Sequence, residues 1–116
     1  KMGIERFVTL SSLRADNPSS GPDALQFYLK AKGAADAYLK ESGLNYTIVR
    51  PGALSFDEGK GKIEASTSIE DKSRDISRED VAKVLVDSLT IEETNHKVFE
   101  ILSGDTLVEE ALKNIH

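Results

Sequence analysis

The 116-residue sequence contains no cysteine and no tryptophan, and only two histidines. Without cysteine there is no disulfide framework, no thiolate metal site and no thiol nucleophile. His96 and His116 alone make a His-rich zinc site an unfavourable expectation, so no metal is expected. Charge of one sign is also scarce. Fifteen Lys and Arg against 20 Asp and Glu leave a formal net charge of −5. The cations form no cluster, which argues against a surface for the phosphate backbone of nucleic acid. No apolar run approaches the ~20 residues that cross a bilayer. No charged-then-apolar leader with a small-residue cleavage site is visible. These absences lead to the expectation of a cytoplasmic, globular chain with no membrane and no nucleic-acid partner.

What is present alternates. Ile4 to Leu10 (IERFVTL) is β-prone, and Ser11-Ser12 follow it. Residues 14 to 22 carry Asp, Asn, Pro, Ser and Gly, the chemistry of a turn-rich loop. A helix is expected from about Asp23 to Ser42, with Gly43 just past its end. Asn45 to Arg50 (NYTIVR) reads as a strand, nearly all apolar or β-branched, as a strand covered on both faces should be. Pro51-Gly52 is expected to end it. Residues 53 to 76 read as a long polar excursion, with a short strand near Lys62 to Ala65. Ser77 is an N-cap candidate, with Asp80 three residues on as an imperfect capping box. Lys97 to Leu102 is the next strand. Thr106 with Glu109 suggests a capping box for a last helix. The order β-α-β-excursion-α-β-α predicts one α/β unit over residues 1–116, with a parallel sheet. Gly59-Lys60-Gly61-Lys62 follows no predicted strand and lacks a further glycine, so it is a poor phosphate loop.

On the first helix, Tyr28, Lys32, Ala35 and Leu39 fall on one small, apolar face. A lysine there can snorkel, pair with a carboxylate or face a polar cleft. Tyr and Lys at i and i+4 project side by side. An ammonium beside a phenol favours the phenolate, which suits proton transfer at a carbonyl or alcohol oxygen. The spacing is equally compatible with a packed Tyr and a snorkelling Lys.

Five segments in order carry a resemblance: FVTLSS at 7–12, Tyr28-x-x-x-Lys32, Arg50-Pro51-Gly52, ISREDVA at 76–82 and FEILSG at 99–104. Together they resemble the short-chain dehydrogenase/reductase superfamily. The similarity is greatest to its atypical NmrA-like and sugar-epimerase-like NAD(P)-binding members. The resemblance implies a Rossmann-like, doubly wound parallel sheet and either NAD or NADP as cofactor. It implies an oxidoreductase or epimerase acting on a hydroxyl or carbonyl of a small-molecule substrate. By that resemblance Ser12, with Ser11 as its neighbouring candidate, would hold the substrate oxygen. Tyr28 would be the acid/base, and Lys32 would bind the nicotinamide ribose. The backbone of Pro51, Gly52 and Ala53 would touch the carboxamide. Residues from Ser77 would lock the excursion onto the sheet.

The superfamily's Gly-rich pyrophosphate turn has no counterpart here. The expectation is therefore a C-terminal half of a domain of roughly 200 residues, partnered by its own N-terminal half. Two other functions stay open at this point. One is a non-catalytic, redox-sensing or regulatory NAD(P)-binding protein of the NmrA-like kind. The other is a small interaction module that binds no nucleotide.

Overall fold

In the computed structural model, which describes residues 7–115, the YTIV run forms strand β2 (Tyr46–Pro51). Two parallel strands flank it: β1 (Phe7–Leu10) and β6 (Lys97–Ser103). Thr47 to Pro51 are all buried, as continuous apolar character demands when helices cover both faces. The expected strand residues 4–6, and His116, lie outside the described residues. Beyond β6 come β4 (Lys62–Ser66) and the two-residue β7 (Thr106–Leu107), giving the order β1-β2-β6-β4-β7. Strands β3 (Ala53–Ser55) and β5 (Asp75–Ser77) make a separate parallel pair.

Side-chain alternation along the strands sorts the core into two layers. Val49, Phe99 and Ile101 face helices α2 (Arg78–Ser88) and α3 (Val108–Lys113), where they pack with Val81, Val84, Val108 and Leu112. On the opposite face Arg50 meets helix α1 (Gln26–Lys40), and Leu102 packs with Leu13 and Ile69. The result is a helix–sheet–helix sandwich of the doubly wound, Rossmann-like kind.

Several boundaries differ from expectation, each for a physical reason. Pro51 is the last residue of β2, as expected, yet the chain stays extended beyond it. Its carbonyl accepts from Leu13 N–H at 3.0 Å, and the chain passes through Gly52 directly into β3. The excursion at 53–76 holds three strands rather than one. Strand β4 runs antiparallel to β6 and buries only Ile63 fully. It is the strand expected near Lys62 to Ala65; the three-residue β3 and β5, too short to show an alternating pattern, are the ones the polar sequence hid. Thr106 does not cap the last helix, because it is spent in β7 opposite Ile63. Instead Val108 N–H, at the start of α3, donates to Gly61 O at 3.1 Å. Ser77 does cap α2, accepting from Asp80 N–H at 3.0 Å.

Helix α1 starts at Gln26 after a 3₁₀ turn at Asp23–Leu25. Its sheet-facing stripe is centred on Leu29, Gly33 and Asp36, one position on from the face expected from Tyr28. Tyr28 and Ala35 lie on the exposed margin. The turn is set by Asp36, which points inward to a buried partner. Gly33 permits the approach: a methyl group there would lie 2.6 Å from the Ala15 carbonyl oxygen. Gly33→Ala in the full-length protein should therefore lower unfolding stability by about 1–3 kcal/mol, despite alanine's better helix propensity. Urea denaturation that shows an unchanged or raised stability would contradict this close approach.

Candidate functional site

Strands β1 and β2 are parallel and end at the same edge of the sheet. The chain leaves them as Ser11–Leu13 and Gly52–Ala53. In an open α/β sheet the crevice outside the carboxyl ends of the strands is where ligands bind. A cavity of about 250 Å³ lies there. Ser12, Pro51, Gly52 and Ala53 line it, as do Leu25 and Leu29 of the α1 region. Four of the residues singled out in the sequence thus meet at one cavity.

Tyr28 and Lys32 occupy the neighbouring strip of α1. The Lys32 ammonium lies 5.7 Å from the centroid of the Tyr28 ring. It also donates to the Leu10 carbonyl, at the end of β1, at 3.2 Å. An ammonium has three donors, so two remain for a ligand. Tyr28 is half exposed. The Lys32 head group thus reaches the end of β1, beside the cavity rather than in its lining.

The two serines diverge. Ser12 faces the cavity. Ser11 is buried, and its hydroxyl donates to Asp36 Oδ2 at 2.5 Å. The same carboxylate oxygen accepts from Arg50 Nε at 3.3 Å and Arg50 Nη2 at 3.1 Å. Asp36 and Arg50 are 3% and 8% exposed, so the pair is desolvated. This cluster ties α1 to the ends of β1 and β2 at once. Pattern reasoning missed it because a lone Asp on an amphipathic helix reads as solvent-facing. The available signal was its spacing: Asp36 sits four residues after Lys32, on the same face.

A second buried carboxylate holds the far wall. Glu100, 2% exposed in the middle of β6, accepts from Ile69 N–H at 2.8 Å and Lys72 Nζ at 3.0 Å. Lys72 Nζ also donates to Ile69 O. Arg74 pairs with Glu64, and its Nη1 donates to Ser103 O at 2.6 Å. These bonds fix segment 69–74, whose Lys72, Ser73 and Arg74 complete the cavity. Within it, the Ser73 hydroxyl and N–H donate to Asp71 at 2.6 and 3.1 Å and hold that carboxyl below its ordinary range.

The Gly59-Lys60-Gly61 turn is no phosphate cradle, because its N–H groups are taken. Gly59 donates to Glu79 Oε1 at 2.6 Å, and Lys60 and Gly61 donate to Asp80 at 3.2 and 2.9 Å. Residues at the start of α2 therefore lock the excursion onto the sheet. Among the described residues no group of three or more His, Asp or Glu could hold a metal ion. No helix among them is long and apolar enough to cross a membrane.

Removing one partner of a buried ion pair strands the other charge. Asp36→Ala in the full-length protein should lower stability by about 3–5 kcal/mol. The double variant Asp36→Leu/Arg50→Met should recover most of that loss, since no charge is then stranded. A double variant as unstable as the single one in guanidinium denaturation would contradict the electrostatic account.

Comparison with known proteins agrees with this geometry. Residues 1–92 match a family model described as NAD(P)H-binding. The uncharacterized sugar epimerase YhfK of Bacillus subtilis is 42% identical over 113 residues, covering 97% of this chain and 52% of that protein. A solved Bacillus halodurans structure, provisionally assigned as an NAD-dependent epimerase/dehydratase, superposes with a TM-score of 0.91 at 43% identity. The match covers 95% of this chain and 51% of that one. The oxidoreductase ylbE of Lactococcus lactis superposes with a TM-score of 0.83 at 34% identity, over 94% of this chain and 51% of its own. The chain thus spans about half the length of the relatives it matches. With a family model covering most of its length and a Rossmann-like sheet whose strand ends open on a cavity, the chain belongs to the NAD(P)H-binding family.

Proposed function

We propose that this chain is the C-terminal, nicotinamide-side part of an NAD(P)-dependent oxidoreductase or epimerase of the short-chain dehydrogenase/reductase type. The observation that carries the reading is the meeting of Ser12, Pro51, Gly52 and Ala53 at one cavity, beside the Tyr28–Lys32 pair. The names of the relatives, a sugar epimerase and an oxidoreductase, support the same class.

The residues present suit the nicotinamide end of the cofactor. Gly52 sits in the lining where a Cβ would meet Leu102 Cδ2 at 2.4 Å and the Arg74 carbonyl oxygen at 3.3 Å, so a larger residue would force Leu102 to move. Its neighbours Pro51 and Ala53 line the same cavity. Lys32 has two free donors for ribose hydroxyls. When bound, NAD(P)H would supply the hydride in reduction and NAD(P)⁺ would accept it in oxidation. Ser12 Oγ would hold the substrate oxygen by a hydrogen bond. The Tyr28 phenol would give that oxygen its proton during reduction and take it back during oxidation. The Lys32 ammonium beside it would stabilise negative charge developing on the Tyr28 oxygen. Asp36 and Arg50 touch neither substrate nor cofactor in this scheme; they position α1.

The remainder of the cofactor site belongs, in this reading, to a further set of strands beside β1. Among the described residues β1 has β2 as its sheet neighbour and no other. Phe7 and Leu10 on β1, with Val86 and Leu89 on α2, leave an apolar surface exposed there. Relatives about twice as long have the chain length to cover it.

Tyr28→Phe in the full-length protein should reduce turnover of a hydroxyl or carbonyl substrate by about 10²–10⁴-fold and leave NAD(P)H affinity nearly unchanged. Steady-state kinetics and cofactor fluorescence titration check both halves. Undiminished turnover would remove Tyr28 from the chemistry and favour a cofactor-binding, regulatory role.

A further inference from the structure

The net charge of the chain is negative, yet the charged residues lining the cavity are all cations: Arg14, Lys72 and Arg74. Two of them are committed. Lys72 is held by Glu100 and Ile69 O, and Arg74 by Glu64 and Ser103 O. Arg14 differs. Its guanidinium has no hydrogen bond or ion pair among the described residues, although Arg14 is partly buried.

The backbone of Arg14 is unusual as well. It sits in a turn closed by Ala15 N–H donating to Ser12 O at 3.1 Å, and its φ is +72°. That region favours glycine, because a Cβ crowds the carbonyl there. An arginine retained in it carries local strain, and strain of this kind concentrates at ligand sites. The turn places Arg14 at the cavity mouth, two residues beyond Ser12. Leu13, Leu25 and Leu29 supply an apolar wall beside it.

Resting on the proposed oxidoreductase or epimerase reading, we infer that Arg14 is a specificity determinant that binds an anionic group of the substrate. The class is a carboxylate or phosphate attached to an apolar body, with the reacting hydroxyl or carbonyl placed at Ser12. A guanidinium presents a planar fork of donors that matches either anion in a bidentate fashion. Lys72 and Arg74 flank the pocket but are each balanced by a carboxylate, which leaves Arg14 as the lining cation without one. The anion meant is the substrate's and not a phosphate of the cofactor.

The test uses the full-length protein with saturating NADP⁺ and two probes of one shape, benzoate and benzamide, titrated by NMR. The wild type should bind benzoate about tenfold more tightly than benzamide. Arg14→Gly should abolish that preference without loss of folding, since glycine suits a φ of +72°. Arg14→Lys should restore part of it, as a charge without the fork. Equal binding of the two probes by the wild type would overturn the inference. So would a preference that survives in Arg14→Gly. A marked loss of NADP⁺ affinity in Arg14→Gly would also overturn it, by giving the guanidinium to the cofactor's phosphate. Failure of the wild type to bind either NADP⁺ or NAD⁺ would sink the oxidoreductase reading instead. The benzoate–benzamide comparison on the cofactor-free protein then still decides whether Arg14 binds anions.

Discussion

One carboxylate oxygen, Asp36 Oδ2, receives three hydrogen bonds from two strand ends: one from Ser11 after β1 and two from Arg50 in β2. That convergence sets how α1 lies on the sheet. Burying an ion pair is costly, and it gains its place by geometry more than by net energy. Here the geometry is specific. Leu10 O, one residue before Ser11, accepts from Lys32, one helical turn before Asp36. The two rungs fix the helix in rotation and in translation. Tyr28, one further turn back, is placed by the same two rungs beside the cavity.

The same device recurs around the edge of the sheet. Glu100 reaches from the middle of β6 to pin segment 69–74, the far wall of the cavity. Asp80 and Glu79, at the start of α2, pin the turn at 59–61. In each case a carboxylate on a regular element captures N–H or cationic donors of an irregular one. Backbone donors in loops must find partners, and a charged acceptor satisfies them strongly. The polar excursion is held by these acceptors together with its buried Ile63, Ile69 and Ile76.

This explains what the sequence could and could not reveal. The β-α-β and α-β-α rhythm was legible because β2 and β6 are buried on both faces and read as apolar runs. Ser77 was legible because a helix cap acts locally, through a partner three residues away. The cavity residues Ser12 and Pro51–Ala53 were legible through a resemblance in their order along the chain. Asp36 and Glu100 were not. Their partners lie 14 to 31 residues away, and the patterns that mark helices and strands treat a carboxylate as exposed. For the same reason the face of α1 was displaced by one position, while β3 and β5 were hidden by being only three residues long. Long-range pairing of polar groups is the part of the fold that periodicity does not carry.

The central claim is that the strand ends at Ser12 and Pro51–Ala53, with Lys32 beside them, hold the nicotinamide end of NAD(P)H. A crystal structure of the full-length protein with bound NADPH tests this most directly. The account predicts the carboxamide against the backbone of residues 51–53 and the ribose hydroxyls within hydrogen-bond reach of Lys32. A nicotinamide bound elsewhere, with this cavity left to solvent, would contradict it.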